Sequence, residues 1–176
     1  TEIASMHVKV WLALPNTPWS VSAQSVSSLR NVIEWNNDDT ADSLVVLRRK
    51  HGEANFVQVA KVGTDKKKFL DSGLIPGTIY YYKIQAINTA GAAETSVFQL
   101  KTKNKASYTD VAASRYPWAI TAIEDLGSRG VFDAASGRFR PADRVTRGEF
   151  AAMLVRALKL DMTPIGTFKD VKPGHK

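Results

Sequence analysis

Tyr80-Tyr81-Tyr82-Lys83-Ile84-Gln85-Ala86-Ile87 decides the fold of the larger part of this 176-residue chain. Its alternate positions carry Tyr, Tyr, Ile and Ala on one side, and Tyr, Lys, Gln and Ile on the other. Successive side chains of a β-strand point to opposite faces of a sheet, so a period of two is typical of a strand. The stretch predicts a strand at residues 80–87, and the neighbouring sequence should supply its partners.

Short strand-like segments lie on both sides of this stretch and are separated by turn residues. They occupy residues 21–26, 31–35, 44–49, 56–60, 66–70 and 97–102. Together with residues 80–87 they make seven short strands, with no helical period between them. We therefore expect an all-β, seven-stranded antiparallel sandwich over residues 16–103.

The first fifteen residues contain a further apolar run at residues 8–12, which leads into a connector with Pro15 and Pro18. Proline fixes φ and donates no amide hydrogen bond, so a regular strand should stop there. Residues 1–15 are either the last strand of a preceding module or a packed N-terminal extension. In both cases we expect Trp11 to pack on a surface.

A family resemblance rests on the segment from Leu74 to Gly91, which reads LIPGTIYYYKIQAINTAG. It resembles the E–F region of a fibronectin type III domain, and Trp35 stands where that family has its strand-B core tryptophan. The resemblance covers about residues 16–103 and implies a tyrosine corner made by Leu74 and Tyr80. A buried tyrosine hydroxyl needs a partner, which a backbone group a few residues upstream can supply.

The composition becomes helical after a polar linker at residues 104–107. Pro117 suits the first position of a helix, and Gly130 can end that helix in the left-handed conformation. The apolar stripe between them has helical spacing: Ala119, Ala122, Ile123 and Leu126.

A second helix is predicted to begin at Thr146 and to end near Leu160. Thr146 is the expected N-cap, and Glu149, three residues later, is its partner in a capping box. The apolar positions of this helix share one face: Phe150, Met153, Leu154, Ala157 and Leu158. Arg147 opposes the helix macrodipole in the first turn, and a negatively charged ligand would reverse that balance.

An internal repeat links the two ends of this region, because the segment from Tyr108 to Val111 recurs at residues 168–171. Five motifs of this region stand out: Tyr108-x-Asp110-Val111, Trp118-Ala119, Gly130-Val131, Gly137-x-Phe139-x-Pro141 and Thr146-Arg147-Gly148-Glu149-Phe150. With these motifs, residues 108–164 resemble a bacterial S-layer homology repeat, and residues 165–176 resemble the truncated start of a second one.

The resemblance implies a helix–loop–helix unit that holds proteins non-covalently on cell-wall glycans, usually in sets of three. In the best understood cases those glycans carry negatively charged ketal-pyruvate groups. Two features depart from the family pattern. Gly148 replaces the usual alanine, at a cost of about 1 kcal/mol, and the loop with Ala134 is one residue short.

Four residues are candidates for carbohydrate binding. Arg147 would hold an anion together with free backbone N–H groups, although it could also be a solvated arginine or pair with Asp110. Trp118 would stack on a sugar or pack in the core. The main role expected for Asp110 is to accept hydrogen bonds from backbone donors, and its second role is contact with the ligand. Gly130 would form a turn or would let the ligand approach the backbone.

Composition narrows the classes of function. The net charge of +7 suits an anionic partner. The absence of cysteine excludes disulfides and thiolate chemistry, and no apolar run is long enough to span a membrane. His7, His51 and His175 lack metal-ligand spacing, and the chain shows no nucleophile or phosphate-binding motif. We expect no catalysis, cofactor, metal or nucleic acid in this fragment.

These observations predict a bacterial cell-surface fragment, extracellular and located in the cell wall or S-layer. The helical part would bind an acidic secondary cell-wall polysaccharide, assisted by further repeats in the same or a neighbouring chain, and the sandwich would act as a spacer. The alternative is an accessory region of a glycan-degrading enzyme whose catalytic domain lies elsewhere.

Overall fold

A computed structural model of the protein describes residues 13–132 and 137–161. The chain divides into two compact units, Thr1–Lys105 and Ala106–Lys176, so the division lies inside the segment expected to be a linker. Three features of the sequence lie outside the described residues: the strand-like run with Trp11, the loop residue Ala134, and the expected second repeat at residues 165–176.

The first unit is a sandwich of two antiparallel sheets. Its strands are β1 (Trp19–Ser25), β2 (Arg30–Asn36), β3 (Ser43–Lys50), β4 (Val57–Val62), β5 (Lys68–Ser72), β6 (Ile79–Asn88), β7 (Gly91–Glu94) and β8 (Phe98–Lys101). One sheet has the order β1-β2-β5. The other has the order β4-β3-β6, and both β7 and β8 pair with β6.

The described part of the sandwich has eight strands, so the prediction of seven is corrected. β7 pairs with residues 85–88 of β6 and β8 pairs with residues 79–82, so the two are halves of one interrupted edge strand. The interruption falls at Thr95, whose hydroxyl accepts a hydrogen bond from the Ile84 amide at 3.0 Å. A side chain thus replaces a backbone partner, and the ladder stops there.

The side chains of β6 are alternately buried and partly exposed, as the period of two in the sequence predicts. Tyr80, Tyr82, Ile84 and Ala86 are buried, and the side chains between them are partly exposed. The inward residues pack with Trp35 and with apolar residues of β2 and β3 in one core cluster. The period of two therefore identified the buried face of the strand.

A buried polar network crosses the core of the sandwich. The Arg48 guanidinium donates to both oxygens of Asp71, at 2.7 and 2.9 Å. The Tyr82 hydroxyl donates to Asp71 at 2.7 Å and accepts from the Asn31 amide at 3.0 Å. Burial and the neighbouring carboxylate raise the pKa of Tyr82 far above its ordinary value, so it stays a neutral donor.

Leu74 and Tyr80 form the corner that precedes β6. Both side chains are buried, and the Tyr80 hydroxyl accepts a hydrogen bond from the Ile75 amide at 3.0 Å. The five-residue separation makes this a backbone donor just upstream of the strand. The bond satisfies the one polar atom of a large buried ring.

The second unit contains two helices in its described part, α1 (Ile120–Ser128) and α2 (Arg147–Leu158). Neither is long and apolar enough to cross a membrane. α1 begins at Ile120, so the expectation of a start at Pro117 was wrong. Residues 116–119 form a turn instead, in which the Ala119 and Ile120 amides both donate to the Tyr116 carbonyl.

α1 ends where the sequence indicated. Gly130 has a φ of 76°, its amide donates to the Gly127 carbonyl, and the Val131 amide donates to the Leu126 carbonyl. These two bonds are those of a Schellman motif, in which glycine takes the left-handed position at no steric cost.

The apolar face predicted for α2 is not buried within this unit. No residue of α2 is buried, and Phe150, Leu154 and Leu158 are exposed. Spacing alone identified a common face, but burial requires a partner that covers it. In repeat architectures that partner is a neighbouring repeat. The described residues contain a single repeat, so they supply no such partner.

Removing the Tyr82 hydroxyl should destabilise the sandwich. Tyr82→Phe leaves the Asn31 amide and one Asp71 oxygen without this partner, so we expect a loss of about 1–3 kcal/mol in the free energy of unfolding. Urea denaturation followed by tryptophan fluorescence measures it. Tyr81→Phe, on the outer face of β6, is the control: its hydroxyl lies 3.2 Å from His51 Nδ1 in an exposed contact, so its loss should cost less than about 0.5 kcal/mol. Equal losses would contradict a special role for the network.

Two glycine substitutions should act in opposite directions on the helical unit. A Cβ at Gly148 would meet no atom within 4 Å, so Gly148→Ala should stabilise α2 by about 0.5–1 kcal/mol. A Cβ at Gly127 would lie 2.6 Å from the Ala106 Cβ and overlap the Tyr108 hydroxyl, so Gly127→Ala should destabilise by about 1–3 kcal/mol. Thermal melting monitored by circular dichroism at 222 nm shows whether each variant raises or lowers the melting temperature. A higher melting temperature for Gly127→Ala would refute the close packing of Gly127 against Ala106 and Tyr108.

Candidate functional site

The candidate site lies at the N-terminus of α2, where Thr146 and Glu149 form a complete capping box. The Glu149 amide donates to the Thr146 hydroxyl oxygen at 3.2 Å, and the Thr146 amide donates to Glu149 Oε2 at 2.9 Å. Thr146 has extended backbone angles, as an N-cap requires. Two of the donors at this helix end are therefore satisfied by side chains.

Arg140 attaches the preceding loop to this cap. Its guanidinium lies 2.8 Å from Glu149 Oε1 and 3.7 Å from the Asp143 carboxylate. Its φ of 57° lies in the left-handed region, which a residue with a Cβ adopts only when its surroundings hold it there. Glu149 thus binds the helix cap with one oxygen and the loop with the other.

Asp110 holds the other side of the same loop. Its two carboxylate oxygens accept from the Phe139 amide and the Arg140 amide, each at 2.8 Å. Asp110 is therefore bound to backbone donors, and its partner is not Arg147. A continuous set of hydrogen bonds runs from Asp110 through Arg140 to Glu149 and Thr146, and it fixes the loop in front of α2.

These hydrogen bonds also set the ionisation of the two acids. The Phe139 amide, followed by the Arg140 amide, lowers the pKa of Asp110 below its ordinary value. The Thr146 amide and hydroxyl, together with Arg140, lower the pKa of Glu149. Both carboxylates are therefore ionised at neutral pH, because their charged forms accept these bonds.

Arg147 is the first residue of α2 and is exposed. Within the described part of the chain its side chain has no hydrogen bond or ion pair, and the amides of Arg147 and Gly148 lack partners. The segment 138–149 carries four arginines and two acids, Asp143 and Glu149. Sequence reasoning singled out only Arg147, although the density of arginine was a signal for Arg140 as well.

Trp118 and Gly130 lie at the two ends of α1. Trp118 precedes the helix and is 84% exposed, so it does not pack in a core. Gly130 follows the helix and forms the left-handed turn. The nine residues of α1 span about 13 Å, so Trp118 and Gly130 are too far apart to contact the same sugar residue.

Between residues 13 and 161, excepting 133–136, no three His, Asp or Glu side chains are grouped closely enough to hold a metal ion. The groups available for binding in the described part of the helical unit are charged side chains, free backbone donors and the exposed indole of Trp118.

Acid should destabilise the helical unit, because the pKa values of Asp110 and Glu149 are lowered on folding. The stability that they contribute is complete above their unfolded pKa values, near 4, and is lost as pH falls through the folded values. Helix melting followed at 222 nm between pH 7 and pH 2 should show a falling midpoint over the acid part of that range.

Asp110→Asn should lower the melting midpoint at pH 7 and reduce the further fall on acidification. Asp143→Asn is the matched control, since the described contact of Asp143 is a 3.7 Å approach to Arg140. A pH dependence that is unchanged in Asp110→Asn would show that the carboxylate does not hold the loop.

Comparison with protein families finds a match to part of the second unit. Residues 107–151 match the S-layer homology domain. The match includes the Tyr108–Val111 segment, α1, the loop and the start of α2. None of the curated proteins compared with the chain matches it.

Solved structures resemble the first unit only loosely. The chicken CNTN1 FN1–FN3 structure is 17% identical over 51% of this chain, with a TM-score of 0.47, and the chain spans 31% of its length. The FN5 domain of Drosophila Lar is 20% identical over 52% of this chain and 99% of its own length, with a TM-score of 0.45. A redesigned β-sandwich protein is 13% identical over 52% and 98% of the two chains, with a TM-score of 0.47.

These likenesses carry no argument by themselves, and the observed strand order describes the sandwich. One sheet has the order β1-β2-β5 and the other β4-β3-β6 with a divided last strand, so the first unit has the antiparallel two-sheet sandwich architecture that fibronectin type III domains share with other families. S-layer homology domains associate proteins with the bacterial cell wall. The segment that matches the S-layer homology domain, residues 107–151, thus follows an antiparallel β-sandwich in this chain.

Proposed function

We propose that the helical unit anchors the chain non-covalently to an anionic cell-wall polysaccharide, such as one that carries pyruvate ketals, and that the sandwich is a spacer. The observation that carries the proposal is Arg147. It is exposed at a helix N-terminus and has no ionic partner among the described residues, whereas Arg140 of the preceding loop is bound to Glu149.

The electrostatics at this helix end favour an anion. The positive end of the helix dipole, the guanidinium of Arg147 and two free amides are available to one carboxylate. Arginine binds carboxylates in a bidentate manner, which adds direction to the charge. In the absence of such a ligand the cation opposes the dipole, so binding would relieve an unfavourable interaction.

Gly148 increases access to these amides. A Cβ at this position would meet no atom within 4 Å, so the space beside the backbone is open. The glycine that departs from the family pattern therefore leaves room for a ligand oxygen to approach the helix end. The glycine lowers the stability of the helix, and it lies at the helix end where the ligand would bind.

Trp118 supplies a second kind of contact. Its indole is 84% exposed just before α1. The apolar face of a sugar ring stacks on an indole, while the sugar hydroxyls stay in water. A polysaccharide combines both chemistries, since it presents ring faces and acidic substituents along one chain.

Arg147→Ala should weaken binding to the wall by at least about tenfold, the value of one strong charge-assisted hydrogen bond. Sedimentation of the protein with purified bacterial cell walls that carry a pyruvylated secondary polymer measures it. Arg147→Ala should not unfold the helix, because it removes a cation that opposes the dipole. Circular dichroism checks this directly.

Arg30→Ala is the control, because it removes one exposed positive charge from the sandwich. An equal effect of both variants would indicate binding by overall charge, and no effect of Arg147→Ala would refute the proposed site. Walls from which the ketals have been removed by mild acid should bind the protein less tightly if the ketal is the anion recognised.

A further inference from the structure

An open groove lies between the two edge strands of the sandwich, β1 and β8. Its volume is about 570 Å³, within the range of small-molecule sites. β1 is the outer strand of one sheet, and β8 lies at the edge of the other. The groove belongs to the first unit and is separate from the residues that bind the wall in the proposed function.

The lining of the groove disfavours a charged ligand. No lining residue is charged, although the chain carries a net charge of +7. Hydroxyl and amide side chains make up much of the lining: Thr17, Ser20, Thr95, Ser96 and Gln99. An ion in this groove would lose water without gaining a partner of opposite charge.

Both edges of the groove are irregular, which disfavours an added peptide strand. The β1–β2 register shifts between Trp19 and Ser22, and Ser20 has a φ of 49°. On the other side, residues 95–97 interrupt the strand that β7 and β8 continue. A peptide that extends a sheet needs a regular row of free backbone groups, and neither edge offers one along the groove.

Trp19 supplies a flat apolar surface in this groove. It is 46% exposed, and Val97, which also lines the groove, is exposed as well. A wholly apolar ligand would cover the indole but would displace water from the exposed polar side chains of Ser96 and Gln99 without replacing its hydrogen bonds. A ligand that matches both must be uncharged, with an apolar face and many hydroxyl groups.

We propose that the groove between β1 and β8 binds a neutral saccharide, with one ring stacked on Trp19 and its hydroxyls bound by groups such as Gln99 and Ser96. The sandwich is then a carbohydrate-binding module in addition to a spacer. This site does not depend on Arg147, so either site can fail without the other.

The test uses the full chain labelled with ¹⁵N and titrated with neutral tetrasaccharides: chitotetraose, cellotetraose and maltotetraose. The chain has four tryptophans, and Trp19→Phe assigns the indole N–H signal of Trp19. We expect at least one of these sugars to shift the Trp19 indole and the Gln99 side-chain amide with a common dissociation constant.

Trp19→Ala should weaken that binding at least tenfold. Trp118→Ala, which removes the exposed indole of the other unit, should leave it unchanged. Gln99→Ala is a second variant at an exposed position and should weaken binding even if Trp19→Ala perturbs the fold.

Three results would overturn the proposal. One is the absence of shifts at about 20 mM sugar, well above the Kd of a weak millimolar site. Another is stronger binding of tetragalacturonate, an acidic sugar, at the same signals. The third is a response of residues 95–99 to an extended hexapeptide of alternating Thr and Val with no response to sugars.

Discussion

The sandwich depends on the hydrogen bonds that the buried carboxylate of Asp71 accepts from Arg48 and Tyr82. Asp71 lies in β5 of one sheet and binds Arg48 and Tyr82 of the other, and Tyr82 in turn binds Asn31 of β2. A carboxylate removed from water requires such partners. The network therefore favours one alignment of four strands, because a shift of one residue would turn its members to the opposite face.

A carboxylate has a comparable role in the helical unit, where little apolar surface is buried. Asp110 accepts from two loop amides, and Glu149 joins the loop to the helix cap through Arg140. No residue of α2 is buried. Polar contacts near the N-terminus of α2, more than core packing, hold the position at which Arg147 is presented.

The two units present different chemistry to their surroundings. The end of α2 combines an arginine with free amides, which suits an anion, whereas the groove of the sandwich is uncharged and contains an indole. The interruption at Thr95 makes the strand count eight and also forms one edge of the groove. An irregularity in an edge strand both prevents sheet extension and creates a concave surface.

The sequence by itself determined the features that depend on residues close in the chain. The buried face of β6, the capping box at Thr146 and the left-handed stop at Gly130 follow from periods or from bonds spanning a few residues. Only the tertiary structure decided the Arg140–Glu149 pair, the interrupted edge strand, and the exposure of Trp118 and of the apolar face of α2. Burial depends on which distant segment covers a residue, and local spacing contains no information about that segment.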